Sequence, residues 1–352
     1  MVGFSHDHVI KNTVPKLSFS DSRDYSEWKE EIREKFIELF GIDKIEKNLA
    51  ENPDFQIESE VDMGDYTRIR FSFYSEVDAR VPVYILIPKD IKKGEKRPVA
   101  ITLQGHSTGF HNSVGIPLYH GDEFHMDDEE YQKRNGKFAV QAVNEGYIAV
   151  AIEQRGMGER SATNQPDRRV HVFNKGCYYE AVTAILLGRT IQGERIIDIS
   201  RTIDMLDNFK DICDLDKIIL TGNSGGGTAT YYTACYDERI KIAAPSCAFC
   251  PYPESILNFY HCSCNYIPRA FEFFDMQDLA CLIAPRQLVL VNGKLDPSFL
   301  IEGVRRGYET VKKIYEKAGA KDSCRSVETE KGHYWCDDLM WPLIKEELQK
   351  LK

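Results

Sequence analysis

A serine on a glycine-rich turn is the first feature of this chain that could do chemistry. The apolar run 217–221 is typical of a short buried strand, the sequence Gly-Asn-Ser-Gly-Gly occupies 222–226, and a segment of helical character follows. A serine on a sharp strand-to-helix turn has a strained backbone, so its neighbours must be small, and its hydroxyl stands clear of the sheet edge. The pattern predicts that Ser224 is a nucleophile.

An acidic residue and a histidine follow Ser224 in the chain order that such a nucleophile requires. Asp296 stands just beyond the apolar run 286–292, and His333 closes the alternating run 324–330. An aspartate before proline is usually a turn former, and a histidine after glycine is usually a loop residue. Their order and their shared position beyond strands nevertheless favour a catalytic triad of serine, histidine and aspartate.

The choice of acid depends on its position. Asp275 and Asp278 are close to Asp296 in sequence, but they lie on an apparent helix rather than beyond a strand. A catalytic acid must reach the histidine from a loop at the sheet edge. Asp296 is therefore predicted to orient His333, which would act as the general base.

A second glycine-containing loop follows the apolar run 98–104 and contains Gly105 and His106. Attack by a serine produces an oxyanion, which is stabilised by one backbone N–H after the nucleophile and by one from this loop. The sequence therefore predicts that the backbone N–H groups of His106 and Gly225 form the oxyanion hole.

The periodicity of the chain predicts the elements that hold these residues. Continuous apolar runs indicate central parallel strands, and earlier alternating runs indicate antiparallel strands at one edge. Large apolar residues recur every four positions over 24–40, which predicts an amphipathic helix that ends at Gly41. The predicted fold is α/β, with a mostly parallel central sheet, helices on both faces and an antiparallel N-terminal edge. The predicted strands cover 55–61, 68–74, 81–87, 98–104, 147–152, 217–221, 286–292 and 324–330, and further helices are predicted within 128–144 and 178–209.

The chain is predicted to form one domain over residues 1–352, because no repeat, low-complexity stretch or flexible linker divides it. An N-terminal helical extension is expected over about residues 1–50. The segment 247–274 is rich in cysteine and aromatic residues. We expect this segment to act as a lid or pocket wall over the site, with its aromatic side chains shaping the pocket.

The cysteines of that segment allow two interpretations. Cys247-x-x-Cys250 and Cys262-x-Cys264, with His261 beside them, contain residue types that bind zinc. However, Cys-x-Cys is a poor second half for a zinc ribbon, and buried thiols behave as small apolar residues. The sequence is therefore interpreted as having no metal site.

Arg155 also allows two interpretations, because it follows a predicted central strand near the catalytic edge. Its guanidinium is suited either to contact substrate or to hold loops together by pairing with carboxylates and carbonyls. The structural role is favoured.

Composition and charge limit the classes of partner. A formal net charge of −10 argues against nucleic acid or an anionic membrane. The N-terminal residues resemble no export signal and no apolar run is long enough to span a membrane, so we expect a cytoplasmic protein whose ten cysteines are reduced. The expected partner is a small substrate of little or no charge, and self-association into a homo-oligomer is left open.

Over about residues 80–350 the chain resembles the α/β-hydrolase superfamily, specifically its acetyl xylan esterase and dienelactone-hydrolase-like branch. The resemblance implies hydrolysis of small acyl esters without a metal or organic cofactor. It implies that Ser224 is the nucleophile, His333 the general base and Asp296 the orienting acid. The motifs that carry it are Gln104-Gly105-His106, Arg155-Gly156-Met157-Gly158, Gly222-Asn-Ser224-Gly-Gly226, Asp296 and Gly332-His333.

Three positions depart from the usual deacetylase pattern. Arg-Gly-Met replaces Arg-Gly-Gln, Gly-Asn-Ser-Gly-Gly replaces Gly-x-Ser-Gln-Gly, and His-Tyr replaces His-Glu. These differences weaken acetyl xylan as the specific substrate. The sequence thus predicts a carboxylic ester hydrolase acting on short-chain esters, and the alternatives are a serine peptidase, a carbon–carbon bond hydrolase or a non-catalytic binding protein on the same fold.

Overall fold

The computed structural model describes residues 5–106, 109–117, 136–162 and 176–351. The described strands are β1 (Gln56–Asp62), β2 (Tyr66–Glu76), β3 (Ala79–Pro88), β4 (Arg97–Leu103), β5 (Ile148–Ile152), β6 (Cys213–Asn223), β7 (Ile240–Ser246), β8 (Gln287–Gly293) and β9 (Cys324–Thr329). The described α-helices are α1 (Ser5–Asn12), α2 (Tyr25–Phe40), α3 (Ile42–Glu46), α4 (Phe138–Asn144), α5 (Gly176–Leu186), α6 (Ile191–Met205), α7 (Gly225–Tyr236), α8 (Ala270–Phe273), α9 (Ala280–Ile283), α10 (Ile301–Lys317) and α11 (Asp337–Lys350).

The strands form one nine-stranded sheet in the order β1-β2-β3-β5-β4-β6-β7-β8-β9. β2 is antiparallel to both β1 and β3, β3 is also antiparallel to β5, and the other neighbouring pairs are parallel. This topology confirms the predicted α/β fold and its antiparallel N-terminal edge. The carboxyl ends of β4, β6, β8 and β9 consequently meet at one edge of the sheet.

Helices cover both faces of the sheet. Successive side chains of β4 point to opposite faces, so Val99 and Ile101 belong to one core cluster and Ala100 to the other. Helices α2, α6, α7 and α10 contribute to the first cluster, and α4 and α11 contribute to the second. Burial on both faces explains why the parallel strands are continuously apolar.

The predicted amphipathic helix is α2. Asp24 caps its first turn by accepting hydrogen bonds from two backbone N–H groups, and Gly41 ends it with a φ of 69°. Trp28, Ile32 and Phe36 are buried with Phe40 on the face that packs against the main core. The helix therefore lies on the sheet domain as the four-residue spacing predicts.

The N-terminal segment is bonded to residues far along the chain. Leu17 N donates to the carbonyl of Phe273 at 2.6 Å, and Phe19 N donates to Asp278 Oδ1 at 2.9 Å. Lys29 Nζ donates to the carbonyl of Ala284. These contacts hold the first residues of the chain against the region just before β8.

Several element boundaries differ from the sequence-based expectation. β6 begins at Cys213 rather than at 217, because Cys213 and Asp214 pair with the first residues of β4 before the register shifts. The region 178–209 contains α5, α6 and a 3₁₀ turn at Leu206–Phe209. Of the helix expected within 128–144, only α4 is described, and residues 128–135 lie outside the described residues.

Candidate active site

Ser224 lies at the junction of β6 and α7. Its backbone has φ 55° and ψ −121°, a conformation that non-glycine residues rarely adopt, and its N–H donates to the carbonyl of Ser246 at 2.9 Å. Gly226 makes the tight turn possible, because a Cβ atom there would lie 2.2 Å from the carbonyl oxygen of Leu103. The glycines of the motif thus allow α7 to begin against the end of β4.

Asp296 and His333 form a direct pair. His333 Nδ1 and Asp296 Oδ2 are 2.7 Å apart, and Asp296 is 3 % exposed. The other carboxylate oxygen, Oδ1, accepts hydrogen bonds from Ser298 N at 2.8 Å and Phe299 N at 3.3 Å. Because Asp296 can only accept when ionised, His333 carries its proton on Nδ1 and leaves Nε2 as an acceptor.

The loop that carries His333 is held tightly against the end of β8. A Cβ atom at Gly293 would lie 2.0 Å from the carbonyl oxygen of Gly332, so glycine is required where these segments meet. The ring of Phe299 stacks on the ring of His333, with centroids 5.9 Å apart and an interplanar angle of 11°. Backbone approach and ring stacking together fix the position of the imidazole.

The predicted site residues line one small cavity of about 70 Å³. Ser224, His333, His106 and Gly225 all contribute to its wall, and Asp296 lies behind His333. The rest of the wall is formed by His261, Cys262, Asn265, Ser298 and Phe299. The structure therefore brings together residues that are separated by more than two hundred positions in the sequence.

The loop after β4 lies against the nucleophile turn. A Cβ atom at Gly105 would lie 3.2 Å from Ser224 Cβ, and one at Gly225 would lie 2.8 Å from Cε1 of His106. The backbones that carry His106 and Gly225 are therefore neighbours at Ser224. This is the arrangement that the predicted oxyanion hole needs, and the role of the two N–H groups remains a prediction.

The two alternative acids are bound elsewhere. Asp275 caps the 3₁₀ turn Met276–Leu279 and accepts from Tyr252 N at 2.7 Å, while Asp278 accepts from Phe19 N and Asp275 N. Burial raises the pKa of Asp275 to about 6 and that of Asp278 to about 7. Both carboxyls thus hold loops together, away from the cavity.

The aromatic residues of segment 247–274 mostly do not shape the cavity as expected. Phe249, Tyr252 and Phe274 are buried in the main core, where they pack against helices that cover the sheet. Among the described residues, the aromatic side chain in the cavity wall other than the histidines is Phe299, which lies outside that segment. The sequence offers one signal for Phe299, its position three residues after Asp296. A side chain on the same loop as the predicted acid is expected to lie near the catalytic edge of the sheet.

His261 lies in the cavity wall, although in the sequence it stands out only as a neighbour of the cysteines. Its ring contacts the ring of Phe299 edge-on, with centroids 5.4 Å apart, and it lines the cavity. Burial lowers the pKa of His261, and the nearby His333 lowers it further. His261 is therefore a largely neutral wall residue beside the proposed base.

Arg155 is surrounded by carboxylates rather than facing the cavity. Its guanidinium donates to Glu76 Oε1 at 2.6 Å and to Asp198 Oδ2 at 2.9 Å, and it forms a salt bridge with Glu194 at 3.2 Å. Burial opposes the charge of Asp198, but Arg155 and Arg160 overcome this effect and hold the pKa of Asp198 below its usual range. These contacts favour the structural role for Arg155.

The four cysteines of segment 247–274 do not form one group. Cys247 lies near Asp296 and His333. Cys262 and Cys264 instead meet His106 and Cys177, and the ligand atoms of these four residues lie within 4.8 Å of one another. Burial lowers the pKa of His106, but the adjacent sulfur atoms raise it more strongly, so the net shift is well above the ordinary value. No spacing rule in the sequence connects Cys177 to the other three residues, because Cys177 lies on α5 and is far from all of them in the chain.

A sequence profile of the Abhydrolase family matches residues 2–230, which include the nucleophile turn. The chain belongs to the Abhydrolase family. This membership and the fold confirm the predicted resemblance to the α/β-hydrolase superfamily.

The chain is similar to one protein named as a hydrolase and to solved structures named as esterases. The provisionally named hydrolase YtaP of Bacillus subtilis (strain 168) is 26 % identical over 261 residues, which cover 70 % of this chain and 80 % of that protein. A provisionally named acetyl xylan esterase from Bacteroides fragilis NCTC 9343 matches with a TM-score of 0.76 and 19 % identity, covering 97 % of this chain and 93 % of that one. A glucuronoyl esterase from Solibacter usitatus matches with a TM-score of 0.64 and 16 % identity, over 96 % and 97 % of the two chains. The Abhydrolase chain therefore shares the α/β-hydrolase fold with these two esterases.

None of the described helices of this Abhydrolase chain combines the length and the apolar character that crossing a bilayer requires.

Proposed function

We propose that the protein hydrolyses short-chain carboxylic esters through an acyl-enzyme intermediate formed on Ser224. One observation carries this proposal: the 2.7 Å pair of His333 and Asp296 shares a cavity with a serine on a strained strand-to-helix turn. A nucleophile, an oriented base and a buried acid are the three parts of serine-dependent acyl transfer. The similar structures named as acetyl xylan and glucuronoyl esterases support esters as the substrate class.

The tautomer of His333 sets the direction of proton transfer. Since Nδ1–H donates to Asp296, Nε2 accepts the proton of the Ser224 hydroxyl as its oxygen attacks the ester carbonyl. The carbonyl π bond opens to an oxyanion, and the carbon–oxygen bond to the alcohol then breaks as His333 Nε2 returns the proton to the leaving alcohol. Water repeats the sequence on the acyl-enzyme and releases the carboxylic acid.

The oxyanion would be held by backbone donors. We assign this role to the N–H groups of His106 and Gly225, because their backbones meet at Ser224. Gly225 is also the first residue of α7, where the N–H groups have no partner within the helix and the helix dipole favours negative charge. Each such donor contributes about 3–4 kcal/mol to transition-state stabilisation.

Replacement of the nucleophile tests the mechanism. We expect Ser224→Ala to lower kcat for a nitrophenyl acetate by on the order of a thousandfold or more, because no acyl-enzyme can form. The matched control is Ser326→Ala, which removes a hydroxyl from β9 and should leave kcat unchanged. Intact mass spectrometry after treatment with an activated phosphonate ester should show one adduct on the wild type and none on Ser224→Ala. Substantial turnover by a folded Ser224→Ala protein would remove this serine from the mechanism.

Acyl chain length tests the substrate class. The small cavity and its Phe299, His261 and Asn265 walls leave little room beside Ser224, so acyl groups of two to four carbons should react far better than groups of eight or more. Each methylene that fits should change the activation free energy that corresponds to kcat/KM by about 1–3 kcal/mol at most. The measurement is kcat/KM for a series of nitrophenyl esters, run beside acetylated sugars and a peptide amide. A steady rise toward long chains would contradict the short-chain assignment, and a preference for the amide would indicate a peptidase.

A further inference from the structure

Four side chains beside the cavity have the composition and spacing of a metal site that the proposed mechanism does not use. His106 Nε2 lies 3.2 Å from Cys264 Sγ and 3.7 Å from Cys177 Sγ, and Cys262 completes a group whose ligand atoms all lie within 4.8 Å. A tetrahedral zinc ion with Zn–S bonds of about 2.3 Å and a Zn–N bond of about 2.0 Å has ligand-to-ligand edges of about 3.6–3.8 Å. The two His106 distances bracket these edges, and the 4.8 Å limit leaves all four ligand atoms within about 1 Å of the separations that zinc requires.

A buried cation beside the group provides a second, independent observation. Arg195 is 1 % exposed, and its Nη2 donates to Cys177 Sγ at 3.3 Å. Its Nε and Nη2 also donate to the carbonyl of Arg155, whereas Nη1 is buried and has no hydrogen-bond partner in the described part of the chain. Within the described residues, no carboxylate forms a salt bridge with Arg195.

Charge balance connects this arginine to the cysteines. A buried guanidinium without a counter-charge is costly, so the site requires negative charge at the sulfur atoms. Three thiolates, a neutral imidazole and a divalent cation together carry a net charge of −1. Arg195 neutralises that charge at the position where it donates to Cys177.

We propose that His106, Cys177, Cys262 and Cys264 bind a zinc ion. Cys₃His is an established ligand set for structural zinc, and with four protein ligands the coordination sphere is closed to substrate. The three thiols release their protons to solvent as the ion binds. This assignment differs from the zinc site considered in the sequence, because Cys247 and Cys250 are not part of it.

The ion would hold three separate segments together at the catalytic edge. His106 comes from the loop after β4, Cys177 from the first turn of α5, and Cys262 and Cys264 from segment 247–274. His106 and Cys262 also line the cavity, and the ring of His106 lies against Gly225. Zinc would therefore fix both the cavity wall and the backbone that carries one proposed oxyanion donor.

Metal content of the purified full-length protein tests the site. We expect the wild type, produced with zinc available, to retain one zinc ion per chain after gel filtration, and Cys177→Ala and Cys264→Ala to lose it. The matched control is Cys213→Ala, which removes a buried thiol from β6 and should keep the zinc. Ser224→Ala should also keep it, so the outcome does not depend on the proposed catalytic role. Equal zinc loss from Cys213→Ala, or a wild type without zinc, would overturn the assignment.

Cobalt substitution and thiol counting test the same site without relying on a variant. Protein exchanged with Co²⁺ should show the strong visible bands of tetrahedral cobalt and thiolate-to-metal absorption in the near ultraviolet. Denatured, unreduced protein should contain all ten cysteines as free thiols. Absence of the cobalt bands, or a disulfide between two of the cluster cysteines, would show that these residues serve another purpose and would refute the zinc site.

Discussion

At the scale of single residues, the proposed chemistry depends on the partners of one carboxylate. Asp296 accepts two backbone N–H groups on Oδ1 and the imidazole of His333 on Oδ2, so its charge is satisfied although it is buried. Asp275 and Asp278 are also buried, but Asp275 accepts from the backbone N–H of Tyr252, and Asp278 accepts from the backbone N–H groups of Phe19 and Asp275. The three acids therefore differ in what they orient rather than in burial.

Replacement of Asp296 tests this distinction. In Asp296→Asn the carbonyl oxygen can still accept from the N–H groups of Ser298 and Phe299, but the amide nitrogen cannot accept from His333 Nδ1–H. His333 is then expected to carry its proton on Nε2, where it cannot accept the proton of Ser224. We expect kcat for a short-chain ester to fall by about 10³–10⁴-fold with the fold intact. Asp275→Asn serves as the comparison and should lower the thermal midpoint while kcat stays near the wild-type value. A larger loss of kcat in Asp275→Asn than in Asp296→Asn would reverse the assignment of the acid.

Sequence patterns predict the members of the proposed triad and a wall segment over 247–274, but not which side chains line the cavity. Ser224, Asp296 and His333 each follow a strand, and the order of parallel strands brings such positions to one edge. Phe299 and His261 have weaker signals, their closeness in sequence to Asp296 and to the cysteines, because their final positions depend on how the loops fold over that edge. The link between His106 and Cys177 is similarly invisible, because it joins a strand-end loop to a helix that is not adjacent in sequence.

At the scale of elements, the turn between β6 and α7 depends on close contact with β4. Gly222, Gly226 and Gly227 each lie where a Cβ atom would approach a backbone oxygen or side chain closer than 3.0 Å. The apolar strand and the helix are predicted well from periodicity. The need for three glycines beyond the serine's immediate neighbours is explained only by the packing of the strands against the helix start.

Substitution within the turn should affect stability and activity together. In Gly226→Ala, the new methyl group would lie 2.2 Å from the carbonyl oxygen of Leu103, so the backbone of α7 must shift. We expect a loss of about 1–3 kcal/mol in the free energy of unfolding and a marked fall in kcat, because Ser224 moves with the helix. Gly64→Ala is the control, since its Cβ would meet no atom within 4 Å; its φ of 89° strains alanine, so this variant should also lose some stability but keep its kcat. Denaturant unfolding and ester kinetics on both proteins provide the comparison, and an unchanged kcat in Gly226→Ala would argue that the turn tolerates displacement.

At the scale of the whole molecule, a buried charge network connects the antiparallel edge to the parallel sheet. Arg155 follows β5 and pairs with Glu76 at the end of β2 and with Glu194 and Asp198 on α6. Arg189 and Arg160 pair with the same carboxylates. The network thus joins β2, the loop after β5 and α6. Sequence periodicity predicts each element alone and not their contacts, so the sequence could favour a structural role for Arg155 without identifying its partners.

Removal of Arg155 separates a structural role from a substrate contact. Arg155→Ala leaves buried carboxylates with fewer counter-charges, so we expect the free energy of unfolding to fall by roughly 3–5 kcal/mol. At a temperature where the variant is still folded, KM for a short-chain ester should remain close to the wild-type value. The measurements are urea unfolding and ester kinetics, and the comparison is Arg305→Ala, which removes an exposed ion pair and should cost about 1 kcal/mol or less. A raised KM with unchanged stability would instead identify Arg155 as a substrate contact.

The anchoring of the N-terminal segment has a consequence for the time course of folding. Leu17, Phe19 and Lys29 bond to residues between 273 and 284, so their partners are synthesised more than two hundred and fifty residues later. During translation the N-terminal helices are made long before the residues that they contact. Forming these contacts also closes a loop of more than two hundred and fifty residues, which has a large entropic cost. The beginning of this chain is therefore among the last parts to reach its native place.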